Sequence, residues 1–331
     1  MKEILQKLTN NYVLTQQEAK ETLTKLAQGD YNQSQMAAFL TVYLMRSISV
    51  HELAGFKAAM LDLCVPIDLS GYDAMDMCGT GGDGKDTFNI STTASFVVAG
   101  AGQKVAKHGN NGVSSVCGSS NLLNHFGYEF KGEEGSLKKS LDEAGICFLH
   151  APLFHPAMKN VAPVRKELGL KTFFNMLGPL VNPSRPEKQL TGVYNLEVAR
   201  LYRYIFQEEN RNCAVVHALD GYDEISLTGD FKVLTKDDEK IYSPSDIGLS
   251  IVQPEELSGG SSIQESADIF MKVLKGEGTK AQRDVVLANA GLALYIGKDL
   301  ASLEEGVVTA KDSIESGAAY KCFEKFIEVN K

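Results

Sequence analysis

Apolar residues in the first 65 positions recur every three or four residues, the period of a helix with one covered face. Met36, Phe39, Leu40, Tyr43 and Leu44 share one such face, and Phe56, Met60 and Leu63 share the next. Three capping boxes punctuate the stretch: Thr15-Gln-Gln-Glu18, a weaker Asn32-Gln-Ser-Gln35, and Ser49-Val-His-Glu52. The pattern predicts a small all-helical unit whose stripes cover each other or a partner chain. After Pro66 the texture changes. Short apolar strands are expected over residues 74–79, 104–109, 145–152 and 212–221, alternating with helices over 91–102, 119–127 and 197–210. Ser91 or Thr92 is the expected cap of the first of these helices. Strand–helix alternation implies a mainly parallel sheet flanked by helices. Residues 231–248 read as an antiparallel excursion with charged turns, and 279–297 and 302–330 return to helix.

Composition narrows the class. The chain has 331 residues, 44% hydrophobic and 23% charged, which suits a large globular domain with a smaller one beside it. Its net charge of -9 argues against a nucleic-acid-coating role. The six cysteines form no CxxC pair and read as reduced thiols. The N-terminus MKEILQKLTNNY has no signal-peptide core, and no apolar run reaches the about 20 residues that span a bilayer. A cytoplasmic location is expected, with no membrane and no nucleic-acid partner.

Four segments carry candidate chemistry. The first, GTGGDGKDT from Gly79, meets the Walker A pattern as far as Lys85 and fails at Asp86, where the magnesium-ligating hydroxyl belongs. Its glycines allow an anion nest, and Asn89, Ser91 and Thr92 follow at a helix start. Alone, the segment is also compatible with a tight turn. The second, KHGNNGVSSVCGSSNLL, offers a cation at Lys107 and polar groups at Asn110, Ser114, Ser115 and Ser119 at a strand's C-terminal edge. His108 there fits either a substrate contact or a structural role. The third spans residues 150–183 and holds five of the nine prolines. Arg165 is its candidate for a bidentate anion contact, or else a surface helix residue. His155 reads as packing, Gly178-Pro179 as a stiff turn or hinge, and no zinc site is expected. In the fourth, Asp223 and Glu224 are adjacent carboxylates suited to Mg²⁺, although alone they equally describe a solvated turn. Lys236–Lys240 reads as solvated surface.

Taken together and in order, GTGGD, NIST, KHGN, the PVR segment with FNMLGPLVNP, and GYDE resemble the anthranilate phosphoribosyltransferase family over almost the whole chain. The resemblance implies a helical domain over 1–68, completed by helices around 160–180, and an α/β domain over 69–331 that binds the phosphoribosyl donor. It implies transfer from 5-phosphoribosyl 1-pyrophosphate to the amino group of anthranilate, in tryptophan biosynthesis. By motif, Gly79, Thr80, Gly82, Asp83, Thr87, Asn89, Ser91, Thr92, Lys107 and Ser119 would hold the donor. Gly79, His108, Asn110, Arg165 and Gly178 would hold anthranilate. Ser91, Asp223 and Glu224 would hold two Mg²⁺ ions, with Lys107 and the metals stabilising charge and no residue acting as acid or base. A homodimer through the helical domain is implied. The Walker A likeness is then accidental, with Lys85 and Asp86 in the variable part. The chain departs from the family's commonest pattern at Asn111 (usually Arg), Val116 (often Lys) and Ser120-Asn121 (commonly Ala-Asp). Rival readings are a pyrimidine nucleoside phosphorylase, a non-catalytic nucleic-acid-binding relative, and a P-loop NTPase. Arg165 within PVRKELG, the acidic pI of about 5.3 and Asp86 count against them in turn.

Overall fold

The computed structural model describes residues 1–112 and 116–331, so Ser114 and Ser115 lie outside the described residues. Four helices open the chain: α1 (Lys2–Thr9), α2 (Gln16–Gln28), α3 (Gln33–Met45) and α4 (Val50–Leu63). All three capping boxes form. Thr15, Asn32 and Ser49 each accept the N–H three residues on, and Glu18, Gln35 and Glu52 each accept the cap's own N–H. Met36, Phe39, Leu40 and Tyr43 are buried as their spacing requires, but Leu44 is 39% exposed and falls off the stripe.

Seven strands form one sheet: β1 (Met75–Met77), β2 (Val105–Gly109), β3 (Ile146–His150), β4 (Lys188–Gly192), β5 (Asn212–Ala218), β6 (Phe231–Thr235) and β7 (Glu239–Tyr242). Their order is β3-β2-β1-β4-β5-β6-β7. The first five are parallel, and β6 and β7 run antiparallel to their neighbours. The excursion over 231–248 is thus as expected, whereas β4 has no counterpart in the sequence reading. Both faces of the sheet are covered, and period-two alternation sorts the side chains between them. On β5, Ala214, Val216 and Ala218 join a core with the C-terminal helices, while Cys213 and Val215 join a core with the N-terminal ones. On β1, Met75 and Met77 face the first core, and Asp76 between them is fully buried on the other side.

Two helix predictions need correction. α5 (Ile90–Gly100) is preceded by Asn89, not capped by Ser91 or Thr92, which lie in its first turn. The expected helix over 302–330 is two helices, Leu303–Glu315 and Ala318–Val329, broken where Gly317 turns at φ +73°.

The N-terminal helices share their core with Val161, Val164, Phe173, Phe174 and Leu177. Phe173 is the pin. It stacks on Phe56 at 4.5 Å between ring centres and meets Phe39 and Tyr43 edge-on. Phe174 beside it lies under the Arg165 guanidinium, 5.1 Å away. Helical packing therefore sets the position of Arg165. Phe173→Ala should lower unfolding free energy by about 3–5 kcal/mol in urea titration. A loss under about 1 kcal/mol would mean the cluster does not hold this segment.

Candidate active site

The sheet order reverses between β1 and β4, since β1 runs on to β2 and β3 on one side and β4 to β5 on the other. Open α/β sheets bind ligands in the crevice at such a point, beyond the strands' C-terminal ends. The Gly-rich loop leaves β1 there. Cys78 N–H donates to the Leu190 carbonyl at 3.2 Å and Thr80 N–H to the Gly192 carbonyl at 2.9 Å, stitching the loop to the end of β4. Gly81, Gly82 and Gly84 all take positive φ, so the loop's curl needs glycine. A crevice of about 400 Å³ opens above it. Every residue assigned from the sequence to donor, acceptor or metal lines it: Gly79, Thr80, Gly82, Asp83, Thr87, Asn89, Ser91, Thr92, Lys107, His108, Asn110, Ser119, Arg165, Gly178, Asp223 and Glu224.

Carboxylates dominate its floor. Asp223 accepts the Gly81 N–H at 2.6 Å, and its own N–H donates to Asp83 at 3.4 Å. Glu224 accepts the Ser91 N–H at 2.9 Å, so a carboxylate sits on the N-terminus of α5. Two glycines admit Asp223. A Cβ on Gly79 would meet its carboxylate oxygen at 2.8 Å, and one on Gly192 would overlap its backbone oxygen at 1.5 Å. Burial, then the Asp83 charge, pushes the Asp223 carboxyl up to about 7. Burial and the Asp223 and Asp83 charges push Glu224 well above the usual carboxylate range. Lys107 works against this, but it is only 3% exposed and donates to the Met77 carbonyl.

These oxygens fit a hard divalent cation, because the charge is concentrated and the donors are of the right class. They do not complete a coordination shell. Among the described residues no group of three His, Cys, Asp or Glu side chains could hold a metal alone. A magnesium here must draw further ligands from water and a bound phosphate compound, its usual habit.

The other wall has a different character. Arg165 is half-buried, donates to the Asn175 side chain at 3.3 Å, and has its charged form disfavoured by burial. His108 faces the Gly178 carbonyl through Nδ1 at 3.1 Å, and His155 faces the Val181 carbonyl through Nε2 at 3.0 Å. Since a carbonyl only accepts, each ring carries its proton on that nitrogen. The other nitrogen of each ring is buried with no hydrogen-bond partner among the described residues. Burial lowers His108 to about 4 and His155 to about 3, so both are neutral near pH 7. Behind them a second, mostly apolar cavity of about 510 Å³ shares His108, Asn110, Arg165, Phe174 and Gly178 with the crevice. An acidic pocket thus adjoins a mostly apolar pocket whose lining includes two cations, Arg165 and Lys159.

Comparison with known proteins agrees with this division. The family described as "Glycosyl transferase family, a/b domain" matches residues 71–320, and "Glycosyl transferase family, helical bundle domain" matches residues 2–64. Anthranilate phosphoribosyltransferase of Cytophaga hutchinsonii is 56% identical over 328 residues, 99% of this chain and 100% of that protein. That of Flavobacterium psychrophilum is 55% identical over 330 residues, the full length of both. This chain belongs to the anthranilate phosphoribosyltransferase family. The Thermus thermophilus enzyme superposes with TM-score 0.92 at 34% identity, covering 98% of each chain. The Saccharomyces cerevisiae enzyme in complex with PRPP and Mg superposes at 0.90 with 28% identity, covering 98% of this chain and 96% of that one.

Several participants escaped the sequence reading. Asp76 takes the His108 N–H at 3.0 Å and so fixes the strand under the acceptor wall; a lone acid between two methionines was the available signal. Phe174 and Asn175, which hold Arg165, open the FNMLGPLVNP motif but were assigned no role from the sequence. The structure places three of the departures from the family pattern. Asn121, standing where Asp is common, accepts N–H bonds from Gly112 at 2.9 Å and Gly118 at 3.1 Å, as a carboxylate would. Val116 is 51% exposed, and Asn111 remains on the crevice wall.

The Asp223 shift has a thermodynamic sign. Its folded pKa lies above the unfolded one, so the folded chain holds the extra proton. Stability then falls as pH rises from about 4 in the unfolded reference to about 7 in the fold. Asp223→Asn should therefore melt higher than the parent in EDTA at pH 8, with the gap closing toward pH 5. A lower melting temperature for the variant at pH 8 would show that the carboxylate is not held under repulsion.

Proposed function

We propose that this chain transfers the phosphoribosyl group of 5-phosphoribosyl 1-pyrophosphate to the amino nitrogen of anthranilate, a step of tryptophan biosynthesis. The bond from ribose C1 to pyrophosphate oxygen breaks and the bond from C1 to nitrogen forms. The nitrogen loses a proton, and N-(5-phosphoribosyl)anthranilate and pyrophosphate leave. The observation that carries the reading is the pairing, in one crevice, of a Gly-loop and acidic floor with an apolar wall bearing Arg165.

The donor side follows from the loop. The Thr80, Gly81 and Ser91 N–H groups are engaged within the protein, so a phosphate would meet the other N–H groups of the loop, with Thr80, Asn89, Ser91, Thr92 and Ser119 as side-chain contacts. Asn89 is already fixed for this, donating to the Cys117 carbonyl at 2.8 Å, its own oxygen having no hydrogen-bond partner among the described residues. Asp223 and Glu224, with Ser91, would hold two Mg²⁺ ions, and Asp83 adds a third acid beside them. Bound magnesium supplies positive charge against the leaving pyrophosphate. Lys107 lies under the same floor, its ammonium fixed by donation to the Met77 carbonyl.

On the acceptor side Arg165 would take the anthranilate carboxylate, and Phe174 and Asn175 keep its fork in place. His108 presents an unprotonated Nε2 that accepts a hydrogen bond from the amine, and Asn110 and the Gly178 backbone complete the wall. No strong base is required, since a neutral aromatic amine is already the nucleophile. The same reading assigns a homodimer through the helical unit, where Tyr12, Val13, Leu44 and Met45 stay exposed. A monomeric sedimentation mass would refute that assembly. A cytoplasmic location accords with six unpaired cysteines.

Anthranilate fluorescence tests the function. Emission should fall only when protein, magnesium and 5-phosphoribosyl 1-pyrophosphate are all present, and loss without the donor would overturn the reading. In the same assay Arg165→Ala should raise the KM for anthranilate about 10- to 100-fold, the scale of one hydrogen bond to a charge. The donor KM should stay within about threefold, and an equal rise for both substrates would remove Arg165 from the acceptor.

A further inference from the structure

We propose that Lys171 is a cation that the protein itself delivers to the departing pyrophosphate, an inference that rests on the donor assignment above. Gly169 ends the helix Ala162–Leu168 at φ +63°, and the chain beyond it lines a pocket that adjoins the crevice at Gly82. Two residues on, the exposed Lys171 reaches the Gly-rich loop, where its Nζ donates to the Gly82 carbonyl at 2.6 Å. That bond spans 89 residues of sequence. It joins the segment between Arg165 and Asn175 directly to the loop whose N–H groups face the donor.

The charge inventory makes the contact more than a latch. Gly79–Thr92 with Asp223 and Glu224 carries four acids, Asp83 and Asp86 being the other two. Lys107 is buried and committed to the Met77 carbonyl. Lys85 lies over the Tyr222 ring, 4.5 Å from its centre. Lys171 has no carboxylate within 4.0 Å among the described residues, and its one hydrogen bond is to a neutral oxygen. An ammonium has three donors on a flexible stem. One can stay on Gly82 while the others meet a phosphate oxygen beside the loop. Charge-assisted contacts of this kind are roughly twice as strong as neutral ones. They gain most as the leaving group takes on its full charge. The segment that positions the acceptor carboxylate therefore also brings charge to the bond that breaks.

Titration calorimetry with pyrophosphate and magnesium, without acceptor, isolates this contact. Lys171→Met should weaken pyrophosphate binding about tenfold or more, the scale of a lost hydrogen bond to a charge. Lys171→Arg, which keeps the charge, should stay within about threefold, and the KM for anthranilate should change less than about twofold in both. Melting temperatures matched to the parent confirm intact folding. Unchanged binding by Lys171→Met overturns the proposal. So does equal weakening by both variants, which would make the residue only a length-specific tie to Gly82. A parent protein that binds no pyrophosphate refutes the donor assignment, and this inference falls with it.

Discussion

Acidic groups crowded together with too little counter-charge are the constraint on which this site depends. Asp83, Asp223 and Glu224 crowd one floor, and burial together with mutual repulsion raises the latter two. The fold works to keep them there. Gly79 and Gly192 lack the Cβ that would exclude Asp223, and backbone N–H groups from Gly81 and Ser91 hold the two carboxylates in place. Buried charge without a partner costs stability, so its retention at a ligand crevice marks function. In the proposed reaction the missing positive charge would come with the metal-bound donor, since among the described residues no group of side chains forms a metal site alone.

The rest of the architecture supplies two walls to that floor. The reversal of strand order between β1 and β4 opens the crevice, and alternation along β5 lets one sheet anchor helices on both faces. The segment over 161–181 belongs to both worlds. Val161, Phe173 and Leu177 lie in the core of the N-terminal helices, while Arg165 and Gly178 line the crevice. Any shift of the helical unit against the sheet must move the acceptor wall relative to the donor loop, and Lys171 is the hydrogen bond between them that can register it.

Much of this was legible from local signals. Capping boxes are written within four residues, and all three formed. β3 and β5 are apolar runs of ordinary length, and the family resemblance carried by the motifs implied sixteen residues that share a crevice. What escaped was short or long-range. β4 reads KQLTG, five residues with a polar start after a proline-rich stretch, and only its neighbours β1 and β5 make it a strand. The cap of α5 was misplaced because Glu224, 133 residues away, takes the Ser91 N–H that a local hydroxyl would otherwise satisfy. Leu44 keeps helical spacing yet lies at the end of α3, where the chain turns away from the core. Lys171 and Asn175 have meaning only through partners that folding brings to them.

If charge compensation governs the site, the raised carboxylates must give up protons when the metal-bound donor arrives. Calorimetry of 5-phosphoribosyl 1-pyrophosphate, already saturated with magnesium, measures this at pH 6.5 in two buffers of different ionisation enthalpy. The expected result is net proton release on donor binding that falls as pH rises through the titration of Asp223 near 7 and is reduced in Asp223→Asn. Identical heats in both buffers at pH 6.5, or the same release from the variant, would contradict it.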